Sequence, residues 1–253
     1  MLSKINKVVF TLAIVLALIS PIKEKVFAAT PTSVKIAYFF TGPLDEPWAQ
    51  AMYRAVQRVK KDVPNGLKIK DKWFEKVPID DYEKFIRDVV LTGLFDIIWL
   101  HDASAGTDPV DNLRKEFPKQ IFPVTASNYR PVGGNAYWIQ AYAHEAAYLS
   151  GVIAGKVTKT DTIGMVAGFP YASVNHLLNA FADGARSVNS GVKFKVAYIE
   201  AWWDPVKAKE TALAQIEAGA DVIYSERYGA FEAARDKKVL AFGNQADMHD
   251  LAP

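Results

Sequence analysis

The chain has 253 residues, of which 50% are hydrophobic and 23% are charged. This composition is typical of a folded protein with one large core or two smaller ones, and it excludes a disordered tail. The 30 basic residues are balanced by 28 acidic ones, so the chain lacks the basic excess with which proteins bind nucleic acid. Cysteine is absent, which excludes disulfides, thiolate metal sites, thiol nucleophiles and a lipid anchor on cysteine.

The first 28 residues have the pattern of a secretory signal peptide. Lys4 and Lys7 precede an uncharged run, Val8 to Ile22, that is shorter than the roughly 20 apolar residues needed to span a bilayer, and Ala28 offers a cleavage point. The segment holds four lysines and one glutamate, so its own net charge is +3. Because the whole chain has a net charge of +2, the remaining residues together carry −1. We therefore expect a periplasmic or other extracytoplasmic protein, either released by cleavage or tethered to the membrane by an uncleaved segment.

The part of the chain that follows alternates predicted strands and helices. Apolar runs predict strands, and apolar residues at helical spacing predict helices. The predicted elements are a strand over Val34–Phe40, a helix over Trp48–Val59, a strand over Leu67–Phe74, a helix through Phe85 and Val90, and strands over Phe95–Leu100 and Ile121–Val124.

The same order begins again in the second half of the chain. The predicted elements there are a strand over Thr162–Ala167, a helix over Val174–Val188, a strand over Val192–Ile199, a helix from Asp204-Pro205, and strands over Ala220–Tyr224 and Val239–Phe242. Equivalent points of the two halves, such as Asp96 and Asp221, are separated by 125 to 129 residues. Two βαβ lobes in tandem explain this repetition better than one long sheet.

The lobe boundaries follow from this order. We assign residues 34–140 to an N-terminal lobe, 141–160 to an interlobe helix and crossing, and 161–253 to a C-terminal lobe. A helix is predicted over Ala136–Lys156, with a hinge near its end at Gly155. Parallel sheets of this kind bind ligands outside the carboxyl ends of their strands, so we expect the site in the loops that follow the strands.

Motifs that carry chemistry are absent or incomplete. The chain has no G-x-G-x-x-G, P-loop or G-x-S-x-G motif. His144-Glu145 resembles the start of a zinc-protease helix but lacks a second histidine four residues on, so we interpret His144 as capped or packed. His101, Asp102 and Ser104 are interpreted as a polar loop. We expect no catalytic residue, no metal and no cofactor.

Aromatic residues occur in the loops after strands of both lobes. Trp48 and Phe169 follow the first strand of each lobe, and Trp202-Trp203 end the second strand of the second lobe. They can converge on one interlobe cleft as a stacking clamp, or they can cover the lobe cores; both interpretations stay open on this pattern.

These residues and several longer segments resemble the basic membrane protein family, the purine-nucleoside receptor type of solute-binding protein that serves ABC transporters. The resemblance covers about Val34 to Pro253 and includes EAAYLSGVIAGKVTKT, IGMVAGFP, NAFADGARSVN, WWDPVKAKETALAQIEAGADVIY and GNQADMHDLAP. It implies an α/β, two-lobed periplasmic-binding fold of type I. In that fold two lobes close on a small ligand and deliver it to a membrane permease.

The resemblance also implies ligand-binding residues. Trp48 and Trp202 would sandwich a planar ring, and Asp45 and Gln50 match the polar positions around Trp48. The candidate site comprises Asp45, Trp48, Gln50, Phe169, Trp202, Trp203, Glu226, Gln245 and Asp247. Gln245 stands where nucleoside receptors carry the acid that contacts ribose, so a free purine or another flat heterocycle is as plausible as a nucleoside. Glu226 and Asp247 are equally compatible with helix capping or surface charge, and Glu226 with an ion pair to Arg227 in solvent.

The resulting prediction is an exported, non-catalytic, monomeric receptor that passes a purine-like ligand to an ABC permease. The alternatives are an extracytoplasmic sensor of the same fold that signals to a membrane partner, and an exported nucleoside-processing enzyme. The sequence offers that enzyme no nucleophile, acid pair or metal set. Folds of this type return to the first lobe after the segment that contains Asp247, whereas the sequence ends at Pro253, so we expect a C-terminal lobe truncated before that return.

Overall fold

The computed structural model describes residues 32–63, 66–101, 107–125, 133–244, 247 and 249, without the side chains of residues 107 and 108. The predicted signal peptide, residues 1–28, lies outside this part of the chain. None of the helices within the described residues is long and apolar enough to cross a membrane.

The first lobe is built on a five-stranded parallel sheet. Its elements are β1 (Ser33–Phe39), α1 (Pro47–Lys61), β2 (Lys68–Phe74), α2 (Tyr82–Leu91), β3 (Ile97–Leu100), α3 (Thr107–Glu116), β4 (Phe122–Thr125) and β5 (Ala136–Ile139). The strand order is β2-β1-β3-β4-β5, and every neighbouring pair is parallel. The strands predicted as far as residue 125 are confirmed, while α3 was not predicted.

The second half of β1, Ile36–Phe39, is buried on both faces, which explains its unbroken apolar sequence. Ala37 and Phe39 belong to one core with Ile86 of α2, whereas Tyr38 belongs to a second core with Val56 of α1. Successive side chains of a strand point to opposite faces, so a central strand covered by helices on both sides must be apolar throughout.

The second lobe repeats the strand order of the first. Its elements are β6 (Thr162–Ala167), α5 (Ala172–Val188), β7 (Lys193–Tyr198), α6 (Pro205–Glu217), β8 (Val222–Ser225), α7 (Ala230–Lys237) and β9 (Leu240–Phe242), preceded by α4 (Ala143–Val157). The order β7-β6-β8-β9 is parallel throughout and matches β2-β1-β3-β4 of the first lobe. The predicted duplication of a βαβ unit is therefore confirmed, and α7 is an addition to the predicted elements.

Equivalent aspartates anchor the third strand of each sheet. Oδ2 of Asp96 accepts a hydrogen bond of 2.7 Å from the amide of Lys35. Asp221 accepts bonds from the amides of Lys159 at 2.6 Å and Thr160 at 3.1 Å. Partial burial opposes ionisation of Asp221, but these bonds and one from a threonine hydroxyl lower the pKa of its carboxyl.

The predicted helix over Ala136–Lys156 is wrong in its first part. Ala136–Ile139 forms β5 beside β4, with Trp138 opposite Val124, and the helix begins at Ala143. Aromatic and β-branched residues such as Tyr137 and Ile139 favour strands, and pairing with an existing sheet edge decides between the two structures.

Gly155 is a packing residue inside α4, so the hinge predicted there is wrong. A Cβ on Gly155 would lie 2.6 Å from the carbonyl oxygen of Ala185 in α5, and one on Gly151 would lie 2.0 Å from that of Phe181. These glycines let the backbones of α4 and α5 approach closely. The segment that links β5 to α4 is instead Gln140–Tyr142.

Candidate ligand-binding site

An inner cavity lies between the lobes at the carboxyl ends of both sheets. We define it by Phe40, Trp48 and His101 of the first lobe and Trp202, Glu226 and Arg227 of the second. Gln140 and Ala141 of the linking segment also line it. Its volume is about 110 Å³; since one water needs roughly 10–15 Å³ on such a scale, the cavity suits a small molecule.

Trp48 enters the cavity from the first turn of α1. Pro47 occupies the first turn of the helix, and the carboxylate of Glu46 caps it by accepting a 3.0 Å hydrogen bond from the amide of Ala49. The Trp48 ring stacks on His101, with ring centres 4.7 Å apart and planes 12° apart. The helix cap thus fixes where the indole lies.

His101 is an uncharged, buried side chain in this wall. It lies in the loop directly after β3, as predicted, but it is buried there, at 3% exposed. Burial lowers the pKa of His101 from 6.5 to about 4, although a hydrogen bond to Trp48 opposes that shift. Nε2 lies 3.3 Å from the carbonyl oxygen of Trp48; a carbonyl only accepts, so Nε2 carries the proton and Nδ1 a lone pair.

The second-lobe wall of the cavity is ionic. Glu226 is 4% exposed and Arg227 is 5% exposed, so they do not pair in solvent. Oε1 of Glu226 accepts a 3.1 Å hydrogen bond from the amide of Gly168, and its Oε2 lies 3.5 Å from Nη2 of Arg227. Glu226 thereby ties the loop after β6 to the end of β8.

Arg227 also links the two lobes. Its Nη1 lies 3.9 Å from Oε1 of Glu46 and donates to the carbonyl of Trp202. Its guanidinium sits 5.2 Å from the centre of the Trp202 ring, a distance at which cation and ring attract each other. Two buried carboxylates, Glu46 and Glu226, therefore share one guanidinium at this wall.

Trp202 completes the second-lobe wall from the loop after β7. Its ring packs over Gly168, where a Cβ would lie 2.8 Å from the indole, and its centre is 4.9 Å from that of Phe169. Trp48 and Trp202 thus line one cavity from opposite lobes, as the predicted clamp requires.

Three other predicted site residues lie in an adjoining pocket that we call the mouth, which shares Thr41, Gly42 and Trp202 with the inner cavity. It is lined by Asp45, Phe169 and Trp203, together with Lys76 and Glu200. The backbone is left-handed at Lys76 and at Glu200, with φ of 56° at both. Each amide bonds back to the loop after the first strand of its lobe, to Gly42 at 3.1 Å and Gly168 at 2.8 Å, so the two lobes build the mouth in the same way.

The remaining predicted residues lie elsewhere. Gln50 lines neither pocket; its amide nitrogen donates to the carbonyl of Leu44 at 3.1 Å and its oxygen accepts from Arg54 at 3.1 Å. Asp247 is exposed and accepts a 3.0 Å bond from the amide of His249. Gln245 lies outside the described residues.

Sequence reasoning missed Phe40, His101 and Arg227 as cavity residues. All three stand within two residues of the carboxyl end of a strand, so the strand-end rule would have found them. Among the residues that the structure describes, no group of three or more side chains could hold a metal ion. His144 instead stacks on His176, with ring centres 4.1 Å apart.

Two parallel sheets with a cavity between their carboxyl ends define a two-lobed domain of the periplasmic-binding-protein type I fold. The structure of a solute-binding protein of an ABC transporter system from Aeropyrum pernix has this fold, with a TM-score of 0.72 and 19% sequence identity over 83% of this chain and 61% of that one. Residues 33–253 match the Bmp family, described as PnrA-like substrate-binding proteins of ABC transporters. The chain belongs to this family.

Two curated relatives carry different ligand names. A putative ABC transporter glucose-binding protein of Haloferax volcanii is 40% identical over 143 residues, which are 56% of this chain and 36% of that protein. A purine-binding protein of Brucella abortus is 29% identical over 224 residues, which are 87% of this chain and 62% of that protein. The chain thus spans less than two thirds of the length of either relative.

Proposed function

We propose that this chain is the ligand-binding part of an exported solute-binding protein, which binds a purine base or a similar flat heterocycle for uptake by an ABC transporter. The observation that carries the proposal is the pair of indoles, Trp48 and Trp202, that line the inner cavity from opposite lobes. Stacking on an aromatic side chain contributes about 1–3 kcal/mol per base. A ligand held between these rings would contact both lobes and stabilise their closure.

The charges of the inner cavity narrow the ligand class. Glu46 and Glu226 outnumber Arg227 there, and all three are buried. A phosphate would bring further negative charge into a desolvated site that already has an excess carboxylate, which is unfavourable. A base or nucleoside therefore suits the cavity, whereas a nucleotide does not.

The family supports the role in transport. Its members are substrate-binding proteins of ABC transporters, so the partner of this chain would be an ABC permease that recognises the closed lobes. Residues 1–28 have the pattern of a signal peptide, in which lysines precede an uncharged apolar run, and this pattern supports export. In this role the protein binds and releases its ligand without chemical change.

A ligand panel on the full-length gene product tests the proposal. Thermal shift and titration calorimetry would compare adenine, guanine, adenosine, guanosine and riboflavin with glucose and AMP. A ligand at 100 times its dissociation constant should add about 2.7 kcal/mol of stability. We expect binding of at least one heterocycle and none of AMP; binding of glucose alone, or of nothing, contradicts the proposal.

Two variants make the test specific to the cavity. Trp48→Ala should weaken binding of the preferred heterocycle about tenfold or more, while Trp203→Ala, in the mouth, serves as the matched control with little change. Gln245→Asp restores the acid that nucleoside receptors use and should raise nucleoside affinity relative to the free base. Equal losses in the two tryptophan variants would rule out the clamp.

A further inference from the structure

We infer that Glu46 is a positioning residue for the ligand: its carboxylate couples closure of the two lobes to the placement of the Trp48 indole. The inference rests on the proposed function, because it identifies what holds the clamp of Trp48 and Trp202 together. It does not depend on contact between Glu46 and the ligand.

The carboxylate of Glu46 uses its two oxygens in different lobes. Oε2 accepts a 3.0 Å hydrogen bond from the amide of Ala49, which caps α1 around Trp48. Oε1 lies 3.9 Å from Nη1 of Arg227 in the second lobe. Of the ion pairs between described residues, this is the only one that joins the lobes. One carboxylate therefore fixes the first indole and reaches across to the opposite lobe.

Arg227 continues the connection to the second indole. It donates to the carbonyl of Trp202, and its guanidinium lies 5.2 Å from the centre of the Trp202 ring. Contacts thus run from Trp48 to Trp202 through Glu46 and Arg227, and both indoles line the inner cavity. Separation of the lobes would break this path between Glu46 and Arg227, since the other contacts lie within one lobe.

Burial makes the charge of Glu46 matter most when the lobes are together. Glu46 is 6% exposed and Arg227 is 5% exposed, so their attraction acts in a medium from which water is largely excluded. Removing the Glu46 charge leaves the buried cation less compensated, whereas in separated lobes water would solvate that cation. The loss therefore falls on the closed state and shifts the equilibrium towards open lobes.

The cap and the interlobe link require different properties, so substitution can separate them. The cap needs an acceptor oxygen, which Glu46→Gln keeps, and the link needs a negative charge, which Glu46→Gln removes.

Asp204→Asn is the matched control. Asp204 caps α6 by accepting a 2.9 Å hydrogen bond from the amide of Lys207, and Pro205 follows it as Pro47 follows Glu46. Within the part of the chain that the structure describes, Asp204 forms no ion pair.

The experiment measures binding and closure on the full-length protein with adenine and guanine. Calorimetry gives the dissociation constant, and energy transfer between dyes on Asp80→Cys and Lys207→Cys, two exposed positions in opposite lobes, reports closure. Glu46→Gln should raise both the dissociation constant and the base concentration that half-closes the lobes about tenfold. Asp204→Asn should change neither by more than about twofold, because its cap acts on α6 alone.

Glu46→Asp decides the matter if Glu46→Gln does not fold. It keeps the charge and a capping oxygen but is one methylene shorter, so it should shift closure in the same direction. Wild-type closure in the Glu46 variant that folds, or an equal shift in Asp204→Asn, overturns the inference and leaves the proposed function intact. Failure of the wild type to bind either base overturns the proposed function as well.

Discussion

The third strands of the two sheets end at the same cavity but deliver opposite chemistry to it. His101 follows β3 and is an uncharged ring packed between aromatic side chains. Glu226 follows β8, at the equivalent place, and is a carboxylate held by Arg227 and the amide of Gly168. The repeated topology therefore determines which positions line the cavity, while the residue at each position determines the chemistry of its wall.

The difference also changes what stabilises each wall. The first-lobe wall depends on keeping His101 uncharged in a desolvated place, so it is sensitive to acid. The second-lobe wall depends on a buried cation between carboxylates of both lobes, so it is sensitive to the loss of either charge. Substitution of His101 in the first-lobe wall should therefore change how stability depends on pH, whereas removal of a charge from the second-lobe wall should lower the stability itself.

The largest effect is expected from removing the cation. Arg227→Met leaves the Glu226 carboxylate buried without the cation beside it, and breaking a buried pair in this way lowers the free energy of unfolding by about 3–5 kcal/mol. Urea denaturation at pH 7 would measure it. Adding Glu226→Gln should recover part of the loss, because the amide oxygen can still accept from Gly168 while the unpaired charge is gone.

Arg186→Met is the matched control for that substitution. Arg186 forms an exposed ion pair with Asp183 at 3.7 Å, and exposed pairs contribute little. A loss in Arg227→Met no larger than in this control would show that the second-lobe wall does not depend on its buried cation.

A pH-dependent effect of similar size is expected in the first lobe. His101 titrates at about 4 when folded, against an ordinary value of 6.5, so between these values the unfolded chain binds more protons. Stability contributed by the neutral ring is complete above pH 6.5 and falls as the pH drops to 4, by about 3 kcal/mol in total. Denaturation between pH 7 and 4 should show a shallower decline in His101→Gln, and an unchanged decline in His249→Gln, which alters an exposed histidine.

The smallest effect concerns a place where the lobes are alike. Lys76 and Glu200 both adopt φ of 56°, a conformation that glycine reaches without steric strain. Glycine at either position removes the steric strain, but it also loses more conformational entropy on folding, which offsets part of the gain. Lys76→Gly and Glu200→Gly should therefore each raise the free energy of unfolding by only about 0.5 kcal/mol. Thermal denaturation would measure both changes in stability, with Lys119→Gly, in an ordinary turn, as a control that should be destabilised. A gain in stability at one of the two positions and a loss at the other would show that the two mouth loops are not equivalent.

Local patterning was sufficient to predict most strands. β6 has the predicted bounds, Thr162–Ala167, because a central strand covered on both faces must be apolar throughout. The strand over Ala136–Ile139 was not predicted because it depends on pairing with β4, which is a separate segment of the chain. A short apolar run does not by itself distinguish a strand from the start of a helix.

The candidate site, like the fold, was predicted only in part from the sequence. Trp48, Trp202 and Glu226 were predicted from strand-end positions and resemblance, and they line the inner cavity. The roles of His101 and Arg227 were not predictable, since each depends on neighbours from other elements: His101 on the Trp48 carbonyl, and Arg227 on Glu46 of the opposite lobe.

The sequence by itself determined the family, the duplicated βαβ order and the strand ends that border the cavity, because periodicity and strand order are local properties of the chain. The tertiary structure decided which of those strand-end residues are buried, and hence charged or neutral, paired or unpaired. Burial depends on how the two lobes and their helices pack together. Desolvation by that packing lowers the pKa of His101, and the same packing brings the carboxylates of Glu46 and Glu226 to the buried Arg227, where their attraction opposes the cost of burying its charge.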